Sequence, residues 1–353
     1  MSDGRDAVTD DAPANPAGDR DPGNAGSGGG ANPLAQWLLL GGNRLLVTAS
    51  LLGAVALALV LVATLGPDSL GRALYTDDTI DWLFQSLLGA IITGVTLVVT
   101  INQLVIAQEL GAVGDQRQRM EEAMQFREDA EAYLETDVSP ARPGRFFRSL
   151  LSAVREECSE LSSLVSGGTD QSVRTEVTEF TRAVSDETER VESALEASEF
   201  GSFDLLGPLL EFEYSVRIHD ARRLRTVHEE ALGPEALDRL ETIRDSLELF
   251  GAAREHVKTL YFQWELIELS RRMLYASIPA LLVAVSTLLF VEHPGQIPGT
   301  TLGIRHGLAF VSLATAVALA PFLLLVSYVF RIATVTRRTL AIGPFVLGGP
   351  ERD

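Results

Sequence analysis

Apolar residues gather into four long runs, Leu45–Leu65, Trp82–Ala107, Met273–Val291 and Gly307–Phe330. None of the runs holds an Asp, Glu, Lys or Arg. A helix needs about 20 such residues to cross the hydrocarbon of a bilayer. The pattern therefore predicts an all-α chain with four transmembrane helices. Residues 108–271, between the second run and the third, are charged throughout and carry no strand-like alternation. They predict a cytoplasmic helical bundle inserted between spans two and three. The expected organisation is a disordered acidic tail (1–32), spans one and two (33–110), the helical domain (111–270), spans three and four (271–330) and a cytoplasmic C-terminal tail (331–353).

Inside the domain the apolar period is that of helices. Phe147, Leu150, Leu151, Val154, Cys158, Leu161 and Leu164 fall three and four apart, which predicts an amphipathic helix over Phe146–Val165. Gly167-Gly168 ends it, and Asp170 is placed to cap a second, more polar helix reaching about Ser198. The thin seam of that helix is Val173, Val177, Phe180, Val184, Val191 and Leu195. Leu209–Leu232 reads as one further helix. Gly233-Pro234 stops it and starts the next, with the proline at a first helical position. From Pro234 no proline intervenes until Pro279, so the last domain helix is expected to run unbroken into span three. Span two is expected to run out into the domain in the same way, loosened by Gly111 and Gly114.

Charge sets the threading. Arg44, Arg117, Arg119, Arg271, Arg272, Arg331, Arg337 and Arg338 flank one set of span ends; only Arg72 and Arg305 flank the other. Arginine collects on the cytoplasmic side, so both termini and the central domain are expected inside a cell membrane. The first 32 residues are too acidic for a signal peptide and too rich in Gly, Ala, Asp and Pro to bury a core. The chain carries a formal charge of −19, with 48 acidic residues against 29 basic ones. Lys258 is the only lysine. Acid-rich, lysine-poor composition suits a halophilic cytoplasm, where molar salt screens charge over only about 3 Å. The same acidity argues against nucleic acid, which needs a basic footprint. Cys158 is the only cysteine, so no disulfide can form within one chain.

No catalytic, metal or phosphate-loop motif is present, so no enzyme activity, cofactor or metal is expected. Of the histidines, His219 and His228 lie nine apart, half a turn out of phase on a helix, and cannot share an ion. The strongest local signal is a polar stripe on span two: Gln85, Gly89, Thr93, Thr96, Thr100 and Gln103, spaced 4, 4, 3, 4 and 3. Over about five turns these residues share one face, with Ile91, Leu97, Val98, Val99 and Leu104 supplying much of the apolar remainder. Such a face either packs between helices, where small and hydrogen-bonding residues are the usual glue, or lines a narrow uncharged aqueous path. Ser50, Ala54 and Ala58 of span one match Ala90 and Gly94 of span two, which suggests close packing of the first two spans or of neighbouring subunits. Uncharged spans argue against ion-coupled transport. A passive pore would select through charges at its mouths, with Asp77, Asp78 and Asp81 outside and Glu109 and Asp115 inside as candidates.

The stretch from Asn102 through Gln103, Leu104 and Val105 to Arg117 resembles a block in uncharacterised multi-pass membrane proteins of haloarchaea; the resemblance implies membrane location and no named activity. The order of two spans, cytoplasmic helices and two spans is similar to bestrophin-type channels, which implies a homo-oligomer. Span two carries no proline where a bestrophin neck would have one, so no residue role follows. The sequence supports a homo-oligomeric passive channel or pore as its first reading. The alternative is a membrane-anchored scaffold or sensor whose helical domain binds a cytoplasmic protein partner.

Overall fold

Apolar and charged segments alike fold as helix. The computed structural model describes residues 44–65, 78–134, 136–167, 170–196, 203–292 and 294–338. The expected tail 1–32, Asp77 and residues 339–353 lie outside them, as do the side chains of residues 108, 109, 337 and 338. In chain order the helices are α1 (Arg44–Leu65), α2 (Thr79–Glu109), α3 (Val113–Tyr133), α4 (Pro143–Val165), α5 (Gln171–Leu195), α6 (Phe203–Glu211), α7 (Tyr214–Val227), α8 (Pro234–Phe290) and α9 (His306–Arg338). The 3-10 turn Pro294–Gln296 and the short strands β1 (Thr300–Thr301) and β2 (Ile304–Arg305) lie between α8 and α9. By length and composition α1, α2, α8 and α9 could each cross a membrane. Residues 331–338, expected as tail, continue α9.

Helix α8 spans both halves of the molecule. Its 57 residues pack on α4, α6 and α7 in the charged half and on α2 and α9 in the apolar half. In the charged half α4 and α5 form an antiparallel pair. Leu150, Leu151, Val154, Cys158 and Leu161 of α4 are fully buried with Val177 and Val184 of α5. The expected seams are therefore the core. At its centre Phe250 of α8 takes Phe147 edge-on at 5.3 Å and Phe212 at 5.0 Å and 89°. Tyr214 lies alongside at 6.0 Å.

Two expected continuities break. Leu209–Leu232 is not one helix. α6 ends at Glu211, and Phe212, 1% exposed, leaves the helical path to meet Phe250 before α7 starts at Tyr214. Pro208, inside α6, already removes one helical hydrogen bond. Nor does α2 run into the domain. Leu110 turns extended with ψ 104°, and α3 sets off afresh at Val113. Helix α8 passes from one half to the other without interruption, and α9 reaches the domain core with Val335 near its end.

In the apolar half α2 sets large side chains into small ones. Ile80, Phe84 and Ile91 pack with Ala280 and Ala284 of α8 and Ala314 and Ala318 of α9. Lower down, Val98 packs with Leu269, Met273, Leu324 and Tyr328. Helix α1 lies along α9 instead of α2. Ser50, Ala54, Ala58 and Ala90 are exposed, and Gly94 faces the Phe322 ring and Met273. The expected pairing of the first two spans is thus not made. The alanines of α8 and α9 offer deeper holes for α2, and α9 offers a partner for α1.

Gly251 packs directly against the Tyr214 ring, which a Cβ there would overlap. Overpacking of this kind costs about 1–3 kcal/mol. Gly251→Ala is therefore expected to lower the denaturation midpoint of the purified protein. A midpoint equal to wild type would show that Tyr214 can move aside freely.

Candidate functional site

Where the apolar helices meet the domain, three of them turn ionisable side chains toward one another. Tyr261, Glu265, Glu268 and Arg272 follow at four, three and four residues, so α8 presents them on one face. Glu265 is only 3% exposed. Its Oε1 accepts a hydrogen bond from the Tyr261 hydroxyl at 2.6 Å and lies 3.4 Å from Nη1 of Arg331 on α9. The Arg331 guanidinium stacks over the rings of Phe203, at 5.3 Å, and Tyr261, at 5.8 Å. Arg44 opens α1 and is also buried. Its Nη1 donates to the carbonyl of Ser327 on α9 at 3.4 Å. Thr48 Oγ1, one turn on, stands 3.4 Å from Ser327 Oγ.

A second carboxylate repeats the motif nearer the apolar run. Glu268, 7% exposed, takes Arg272 Nε at 2.6 Å and Arg271 Nη2 at 2.6 Å. Arg272 also lies 5.9 Å over the Tyr328 ring. Each buried carboxylate is therefore served by arginine. Arginine suits such a place, because it stays charged, is weakly hydrated and stacks on aromatic faces. Burying ions costs several kcal/mol each, which only pairing offsets. The cluster is consequently a rigid joint among α1, α8 and α9, and through Phe203 it reaches the domain. On α2, Asn102 lies one turn beyond Val98, and its Oδ1 is buried with no hydrogen-bond partner among the described residues.

In the sequence Arg44, Arg271, Arg272 and Arg331 read only as flanking charges, and no motif marks Tyr261, Glu265, Glu268 or Tyr328. The signal available was the one-face spacing of 261, 265, 268 and 272, set against exposed Trp264 and Ile267 on another face of the same helix.

The span-two stripe points away from its own bundle. Gln85, Gly89, Thr93, Thr96, Thr100 and Gln103 are all exposed, while Phe84, Ile91 and Val98 form the buried face. Among the described residues no other span buries it. The hydroxyls of Thr93, Thr96 and Thr100 each donate at 2.8 Å to a carbonyl one turn back, so their lone pairs still face outward. Of the candidate mouth charges, Asp78 is the residue before α2, with a left-handed φ of 75°. Asp81 is exposed in the first turn of α2, and Asp115 is exposed in the first turn of α3, where a carboxylate suits the helix dipole. Asp77 and the Glu109 side chain lie outside the description. Asp81 lies one turn before Gln85, at the head of the stripe, and Asp115 lies beyond the break that ends α2. Cys158 is buried under a groove edged by Ser159, Ser162, Thr178 and Arg182, and burial pushes its thiol up to about 12. It acts as a small core residue.

The chain belongs to a family of unknown function, DUF7972, whose model matches residues 15–353. No curated protein and no solved structure matches it.

Removing one partner of a buried ion pair costs about 3–5 kcal/mol. Glu265→Ala is expected to lower the melting temperature of the detergent-solubilised protein far more than Glu121→Ala, whose partner Arg117 is 80% exposed. Equal effects would mean that Glu265 does not hold the joint.

Proposed function

We propose that the protein is a multi-pass protein of the cell membrane, with both termini and the helical domain on the cytoplasmic side. In this reading copies assemble through the outward face of α2 into a homo-oligomer that offers a passive, uncharged-walled path. The observation that carries the reading is the outward turn of Gln85, Gly89, Thr93, Thr96, Thr100 and Gln103. Two carboxamides and three hydroxyls at membrane depth are poorly matched to lipid tails. Another copy or water suits them better. Asp81 stands in the first turn of α2 and Asp115 beyond its other end, in the first turn of α3, and rings of carboxylate there would favour cations. The acid-rich, lysine-poor composition supports molar salt as the working medium.

A scaffold or sensor is the second reading, and the unbroken α8 favours it. A partner bound to the cytoplasmic domain would then be coupled to the spans through Glu265 and Arg331. The two readings differ in conductance.

Thr100→Leu, reconstituted in planar bilayers at molar salt, is expected to assemble and to lose much of the wild-type current. Leu282→Val on the exposed face of α8 should conduct normally. A silent wild type at every voltage would discard the channel and leave the scaffold. Threading is tested in sealed vesicles of known sidedness, in a Cys158→Ala background. A cysteine at Thr300 should react from outside, and one at Ser185 only from inside. Outside reaction at Ser185 would overturn the orientation.

A further inference from the structure

At the end of α8 and α9 remote from the domain, the connecting hairpin carries a leucine in a backbone state that leucine disfavours. Thr300 pairs with Arg305 and Thr301 with Ile304, leaving Leu302 and Gly303 as a two-residue turn. Both have positive φ, 53° and 80°. That is the pattern of a type I′ turn, for which Asn-Gly is the usual choice. Gly303 adopts it without strain. For Leu302 the left-handed region crowds Cβ against the backbone.

Nothing within the described residues repays this strain, because Leu302 is 96% exposed. The hairpin is nonetheless held firmly. His306, the first residue of α9, places Nε2 2.8 Å from Thr301 Oγ1 and Nδ1 3.2 Å from the Pro298 carbonyl oxygen. Gly307 lets the Pro294 carbonyl approach so closely that any Cβ there would overlap it. A rigid mount thus presents a bulky apolar side chain at a fixed height beside the helix ends. The last turn of α8 adds Leu289, 69% exposed, and Phe290, 76% exposed.

We infer that Leu302 is a bilayer anchor: its side chain enters the interfacial layer of the membrane and fixes the depth of the α8–α9 pair. The occupant of this surface is lipid, because the apolar surface beside the hairpin is the exposed face of α8 itself. The transfer of leucine into that layer offsets the backbone strain. This inference rests on the reading of α8 and α9 as membrane spans.

The test uses the full chain in a Cys158→Ala background, with an environment-sensitive fluorophore attached through Leu302→Cys or, separately, Leu282→Cys in the middle of the apolar run. Each protein is reconstituted into vesicles whose lipids are brominated either near the headgroup or near the chain ends. The label at 302 should be quenched more by shallow bromines and the label at 282 more by deep ones. A label at 302 quenched by neither, with 282 quenched, would overturn the anchor and leave the spans standing. A disulfide between the two 302 positions of separate copies, formed by mild oxidation of the unlabelled protein, would assign the tip to a second copy and also overturn it. If neither label is quenched, the membrane reading fails and the anchor fails with it.

Discussion

Glu265 is a carboxylate that water scarcely reaches, and the structure on either side of it supplies its partners. Arg331 supplies the opposite charge, Tyr261 supplies a hydroxyl, and Arg44 ties α1 to α9 nearby through the Ser327 carbonyl. Such a group tolerates little movement, because loss of any partner leaves a desolvated charge. The helices that carry the partners must therefore hold their register. Helix α8 does so by continuing without a break for 57 residues, from a charged bundle into an apolar one. Helix α9 does so by pressing Val335 into the domain core while Ala314 and Ala318 receive α2. The joint thus makes the apolar and charged halves one mechanical unit, whichever activity that unit serves.

Much of the fold was legible in the sequence. Four charge-free runs, the seam of α4 and the proline that starts α8 are local features, and local features survive folding. The breaks at Leu110 and Phe212 were not legible. Each depends on a contact or a backbone turn that leaves no mark on hydrophobic period: Phe212 leaves its helix to meet Phe250, 38 positions away. The ionic joint was hidden for the same reason. Its members come from α1, α8 and α9, far apart in the chain, and arginines beside apolar runs read first as flanking charge. The positive φ of Leu302 has no sequence signature at all, since the residue expected there is asparagine.

The polar stripe of α2 was half legible. Its period gave the face but not what the face meets. Large residues of α2 fill the alanine-lined holes of α8 and α9, which forces the small and polar residues to the other side. The outward stripe is thus a consequence of core packing. In the proposed reading a second copy of the chain covers the amides and hydroxyls that this bundle turns outward.

Cysteine scanning along α2 tests that claim most directly. Single cysteines at Thr93, Thr96, Thr100 and, on an exposed flank of the same helix, Ile101, are oxidised in native membranes in a Cys158→Ala background. The account predicts chain-to-chain disulfides at positions 93, 96 and 100 and none at 101. Absence of disulfides along the stripe, or equal yields at all four positions, would contradict it.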